Sequence, residues 1–99
     1  MASAGSIRVK NTGGFVARFY VDYTSGGRRI HQASGNFTAG TSKAIYIPPD
    51  ATDIYVVIQE EYFIASWSTV ATFNFNDPIV NCYEVYGTTL DAHVKEIAC

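Results

Sequence analysis

Apolar and polar residues alternate with a period of two through most of this chain, the spacing of half-buried strands rather than of a helix. The longest such run is residues 15–23. Phe15, Ala17, Phe19, Val21 and Tyr23 share one face, and Val16, Arg18, Tyr20 and Asp22 share the other. Residues 6–10 alternate apolar with basic and predict a short strand with one wet face. Residues 28–37 predict a polar edge strand, twisted at Gly35, whose arginines discourage pairing with another sheet. A further strand is expected at 42–47. Residues 52–60 are apolar on both faces for several positions and predict a central strand. Alternation resumes at 69–75.

The last strands run over 80–86 and 90–97, folded about Gly87-Thr88-Thr89. Val80, Cys82, Glu84 and Tyr86 fall on one side of the first, and Leu90, Ala92, Val94 and Glu96 on one side of the second. Turn signals separate most of these runs: Asn11-Thr12-Gly13-Gly14, Thr24-Ser25-Gly26-Gly27, Thr38-Ala39-Gly40-Thr41, Pro48-Pro49-Asp50-Ala51 and Asn76-Asp77-Pro78. No segment of useful length carries a helical period. The pattern predicts an all-β, antiparallel β-sandwich, immunoglobulin-like, built from eight short strands.

Two stretches stand apart from this pattern. Residues 61–68 break the alternation and bring Tyr62, Phe63, Ile64 and Trp67 close together in what should be a solvated connection. Inside the sandwich mouth they are ordinary core; exposed, they form a membrane or ligand patch. Thr89 and Leu90 meet at the final turn. They are part of an ordinary hairpin, or they are a small polar–apolar probe at one end of the sandwich.

Composition narrows the function. A chain of 99 residues is expected to form a single domain, 1–99, with one modest core. Charged residues make up only 16%, while aromatics reach 14% and include seven tyrosines. Such a surface is common in extracellular binding domains. The net charge is −2 and Arg28-Arg29 is the sole basic pair, which argues against nucleic acid as a partner. No apolar run is long enough to cross a membrane as a helix. The first residues lack the charged-then-apolar pattern of a signal peptide, so a cytosolic chain or a mature secreted one is expected. Cys82 and Cys99 either pair or remain free thiols, and spacing alone leaves both open.

Catalysis finds no support. His31 and His93 join no nucleophile pattern and are expected on or near the surface. Glu60 and Glu61 are adjacent on a strand, so their side chains point to opposite faces and cannot form an acid–base pair. Metal-ligand spacings and a phosphate-binding glycine loop are both absent, so no enzyme and no cofactor are expected. Asn36-Phe37-Thr38 is a formal glycosylation acceptor if the chain is secreted.

The order of pieces resembles the C-terminal, membrane-binding domain of the thiol-activated, cholesterol-dependent cytolysins. Thr12-Gly13-Gly14-Phe15-Val16-Ala17-Arg18-Phe19 and Tyr86-Gly87-Thr88-Thr89-Leu90 carry most of the likeness. Thr38-Ala39-Gly40-Thr41 and the strand from Ile54 to Glu60 add to it. The resemblance covers nearly the whole chain and implies a sandwich of two four-stranded sheets. It places the family's cholesterol-recognition pair on Thr89 and Leu90. Two other short membrane-touching loops fall at Gly14 and Ala39, and the Trp-rich undecapeptide loop starts at Glu60 and runs through Trp67.

That last loop departs from the family's Glu-Cys-Thr-Gly-Leu-Ala-Trp-Glu-Trp-Trp-Arg. Glu61 replaces its cysteine, Trp67 alone remains of the tryptophan cluster, and its closing arginine has no clear counterpart. Cys82 and Cys99 lie elsewhere, so thiol activation is not implied. The pore-forming remainder of those toxins is missing from this sequence.

The resemblance therefore implies a stand-alone recognition module for a membrane lipid, a sterol or a glycan. Gly14, Ala39, Tyr62, Phe63, Ile64, Trp67, Thr89 and Leu90 are the expected binding residues, and an extracellular setting is favoured. The alternative is a structural sandwich that has lost the ligand and self-assembles into a homo-oligomer through its tyrosine-rich surface and strand edges.

Overall fold

The computed structural model describes residues 4–63 and 66–99, and at 62 and 63 the backbone alone. Eight strands follow in order: β1 (Gly5–Asn11), β2 (Val16–Ser25), β3 (Arg28–Ala33), β4 (Ser42–Ile47), β5 (Thr52–Phe63), β6 (Ser66–Phe75), β7 (Val80–Thr88) and β8 (Asp91–Ile97). They form two four-stranded sheets, ordered β4-β1-β7-β8 and β3-β2-β5-β6, and no helix occurs among the described residues.

The alternation read from β2 is the alternation of its burial. Phe15, Ala17, Phe19, Val21 and Tyr23 all face the space between the sheets. Opposite them lie Ile7 and Val9 of β1, Ile45 and Ile47 of β4, and Tyr83 and Val85 of β7, while Ile54, Val56 and Ile58 of β5 complete the core. Rings lock parts of it. Phe19 meets Phe37 edge-on at 6.3 Å, and Phe73 stacks on Tyr83 at 4.5 Å. Val57 is buried on the other face of β5, so this strand is covered on both sides, as its sequence requires.

The antiparallel expectation needs one correction. β1 and β7 run parallel, with Ser6 beside Val80 and Asn11 beside Val85. A parallel pair cannot be closed by a local hairpin, and here the entire second sheet lies between its two members in the chain. Nothing local in the sequence marks such a pairing. The polar strand also ends sooner than read. β3 stops at Ala33, Gly35 adopts a left-handed φ of 76°, and Phe37 returns to bridge Ala17 and enter the core.

Cys82 and Cys99 are joined by a disulfide, with their Cα atoms 5.2 Å apart. The bond ties the chain's last residue to β7, just beyond the pairing of Cys82 with Ile97. It holds a tail that would otherwise fray from an edge strand.

Candidate functional site

Strand direction brings three of the described connections to one end of the sandwich. The links from β1 to β2, from β3 to β4 and from β7 to β8 lie there, beside the last residues of β5. Backbone hydrogen bonds sew them together. Thr12 N donates to Val85 O at 2.9 Å, Gly14 N to Gly87 O at 3.1 Å, Asn11 N to Thr41 O at 2.9 Å and Gly40 N to Asn11 O at 2.7 Å.

Asn11 anchors this end, a role its place in a turn signal did not reveal. Its side chain is fully buried and fully used. Nδ2 donates to Phe15 O at 2.7 Å and to Phe37 O at 3.3 Å, and Oδ1 accepts from Gly13 N at 3.0 Å. A buried amide pays its desolvation only when so satisfied. The result is a fixed loop beneath Gly14, which is exposed with open space around it, and Ala39 is exposed in the neighbouring turn.

The final turn is tighter than the sequence suggested. β7 continues to Thr88 and β8 begins at Asp91, so the pairs Gly87–Ala92 and Thr88–Asp91 extend the ladder and leave only Thr89 and Leu90 between the strands. Gly87 belongs to the strand, not the loop. Its φ is 106°, and an added Cβ would collide with the carbonyl oxygen of Asp91. Leu90 is 89% exposed and Thr89 is half-buried, so Leu90 is no part of the core.

Trp67 sits on the outer face of the β3-β2-β5-β6 sheet. The Arg18 guanidinium lies 3.9 Å from the centroid of its ring, and Arg18 Nε donates to Gln59 Oε1 at 2.8 Å. This pairing fixes the one tryptophan against β2. Tyr62 and Phe63 end β5, but their side chains, and Ile64 entirely, lie outside the described residues. His31 and His93 are exposed, each beside an aspartate: His31 Nδ1 lies 2.6 Å from Asp22 Oδ1, and His93 Nε2 lies 2.9 Å from Asp91 Oδ1. No group of His, Cys, Asp and Glu among the described residues could hold a metal ion.

Beside the turn is a cleft of about 390 Å³, walled by Ser68, Thr69 and Val70 of β6 and by Thr89, Leu90 and Asp91 of the tip. Glu60 also lines it. This residue continues the inward face of Ile54, Val56 and Ile58, is only 3% exposed, and has no hydrogen-bond partner for Oε2. The register between β5 and β6 slips here, from Ile58–Ala71 to Gln59–Thr69, which leaves Val70 as the bulged residue at the cleft wall. The alternation of β5 is the signal that could have placed Glu60 inward.

Burial pushes the Glu60 carboxyl above its ordinary pKa of 4.5. The folded chain then binds this proton more tightly than the unfolded one. The stability it lends is complete at acid pH and is lost as pH rises through the raised folded value. Glu60→Gln cannot ionise, so it should melt above the parent at neutral pH, with the gap closing as pH falls towards 4.5. Thermal scans across that range check this, and a gap independent of pH would contradict it.

With this geometry in place, the chain can be compared with known proteins. Residues 6–93 match the family described as the thiol-activated cytolysin beta sandwich domain. Among solved structures it is similar to listeriolysin O, at 22% identity and a TM-score of 0.72, covering 99% of this chain and 23% of that one. Suilysin from Streptococcus suis is similar at 20% identity and a TM-score of 0.72, with coverage of 99% and 24%. A disulfide-locked mutant of intermedilysin, solved with human CD59, gives 20% identity and a TM-score of 0.72, with coverage of 99% and 25%. No curated protein matches the chain. The chain thus spans about a quarter of the length of these solved toxins.

Proposed function

Because the chain belongs to the thiol-activated cytolysin beta sandwich family, we propose that it is a recognition module whose loop end meets a membrane surface and holds a lipid, sterol or glycan headgroup there, without pore formation. The observation that carries this reading is Leu90, 89% exposed on a two-residue turn next to the Thr89 hydroxyl. An isolated leucine held in water by a rigid turn gains from leaving it. Burying one such side chain contributes roughly 1.5–3 kcal/mol, too little alone for useful affinity, so neighbouring loops must share the contact. Gly14 and Ala39 supply small exposed loop tips at the same end, and Trp67 supplies a broad aromatic edge held by Arg18.

Pore formation is left out for a reason of chemistry. The undecapeptide stretch keeps Trp67 alone of its tryptophans and lacks the closing arginine. Vesicle co-sedimentation tests the proposal. The chain should pellet with vesicles of at least one composition among phosphatidylcholine, phosphatidylcholine with cholesterol, and phosphatidylcholine with glycosphingolipid, and should release no trapped dye. Absence from every pellet would remove the membrane reading.

One observation favours self-assembly instead. Tyr46 on the edge strand β4 is 68% exposed and Val80 on β7 is 61% exposed, and both flank Ser6 in a single row across the outer sheet face. An exposed apolar row at an open edge suits pairing with a second copy. Sedimentation velocity separates this reading, since a concentration-dependent dimer that ignores vesicles would favour it.

A further inference from the structure

We propose that the cleft between the β5–β6 pair and the β7–β8 tip binds the ring of an uncharged sugar, with the Glu60 carboxyl as its principal hydrogen-bond partner. This deepens the loop-end reading and rests on it for the biological setting.

The cleft offers an unmet polar group. Glu60 is buried at a position where its strand otherwise places isoleucine and valine, yet its Oε2 has no partner. Such a group costs free energy in the empty fold and regains it when a donor arrives. The terminal torsion of a glutamate is broad, so a modest rotation presents either oxygen to the cleft. Beside it stand Ser68, its cross-strand partner on the same face, and Thr89, whose hydroxyls can both donate and accept.

The same surroundings select among ligand classes. The cleft lining holds no Lys or Arg, and it does hold Glu60 and Asp91, so a phosphate or other anion is repelled. An ammonium group would require Glu60 charged in a place where burial favours its neutral form. A sugar hydroxyl requires no such charge, since it donates to the carboxylate or accepts from the acid. Val70, Leu90 and Ala92 add apolar wall for the C–H face of a ring. At about 390 Å³ the cleft exceeds an ammonium head and falls in the ordinary range of small-ligand sites.

The test uses the whole chain, isotope-labelled, with free glucose, galactose, mannose, fucose and N-acetylglucosamine as separate probes in amide NMR titrations. At least one sugar should shift the amides of Glu60, Ser68, Thr69 and Ala92 in a saturable way, with a dissociation constant on the order of millimolar. Glu60→Gln should weaken that binding roughly ten-fold or more with the remaining spectrum unchanged. Ser68→Ala, which removes the hydroxyl beside Glu60, should weaken it as well. Vesicles carrying the responsive sugar on a lipid, compared with beads carrying it on a protein, then distinguish the two natural sources of the ring.

Saturable shifts with none of the five sugars would overturn the proposal. So would undiminished binding by Glu60→Gln, or a response to ethanolamine in place of the sugars. Because these probes are free in solution, such a failure leaves vesicle association by the tip untouched. Loss of vesicle association with sugar binding retained would overturn the membrane reading alone.

Discussion

The double change Thr89→Gly, Leu90→Ala should abolish association with vesicles that bind the parent while moving the melting temperature by no more than a few degrees. Leu90 is 89% exposed, so its truncation removes no core contact and leaves no cavity. Exposed substitutions away from special backbone positions usually change stability by less than about 0.5 kcal/mol. The strained position beside the turn is Gly87, which the variant keeps. On the vesicle side, Leu90 is the most exposed large apolar side chain of the described residues, so its loss weakens the contact more than any other single truncation there. Co-sedimentation beside a thermal scan decides the matter. A variant that melts far lower would show that the tip is structural, and a stable variant that binds as well as the parent would free the tip of any recognition role.

The opposite behaviour is expected at Phe19. This side chain is 1% exposed, is among the largest fully buried in the chain, and meets Phe37 edge-on. Phe19→Ala removes its apolar burial and leaves a cavity between the sheets, at a cost of roughly 3–5 kcal/mol. Domains of this size commonly have only about 5–15 kcal/mol in all. The melting temperature should therefore fall by on the order of 15 °C or more. Phe37 makes the effect reach further, because its backbone accepts from Asn11, the anchor of the loop end. Vesicle binding by Phe19→Ala should consequently fail only where the fold fails, in contrast to the tip variant. A shift of only a degree or two would mean that the core is not packed as described.

The contrast between these residues shows what the sequence made legible. Phe19 could be assigned to the core because alternation over residues 15–23 is strict, and strict alternation has one structural meaning. The two-sided burial of β5 was legible for the same reason, from apolar residues on both faces. Pairing is different. The parallel contact of β1 with β7 depends on the route of the whole second sheet, and no short stretch encodes it. β3 ended early because Gly35 and the return of Phe37 to Ala17 override a locally plausible strand.

At the loop end the same division holds. Thr89 and Leu90 were legible as a turn, but the strand on either side closed further than its residues alone required. The inward face of Glu60 was open to reading from the period of β5, in line with Ile54, Val56 and Ile58, but only its opposition to Glu61 was read. Its lack of a partner was not open in this way, because that depends on what the β7–β8 tip and β6 place around it. Asn11 read as a turn residue, since asparagine is common in turns, while its three hydrogen bonds join groups as far apart as Gly13 and Phe37. The stacking of Arg18 on Trp67 is likewise a product of register between β2, β5 and β6.

The proposed function requires polarity, with the loop end of the sandwich meeting the membrane and the opposite end staying in water. An environment-sensitive fluorescent amino acid placed singly at Leu90, and in a second protein at Asp77 in the opposite-end turn before β7, tests it most directly. With vesicles that pellet the parent, the probe at position 90 should shift to the blue and be quenched by brominated lipid, while the probe at position 77 should stay at its aqueous emission. Equal responses from both positions, or a response from position 77 alone, would contradict the account.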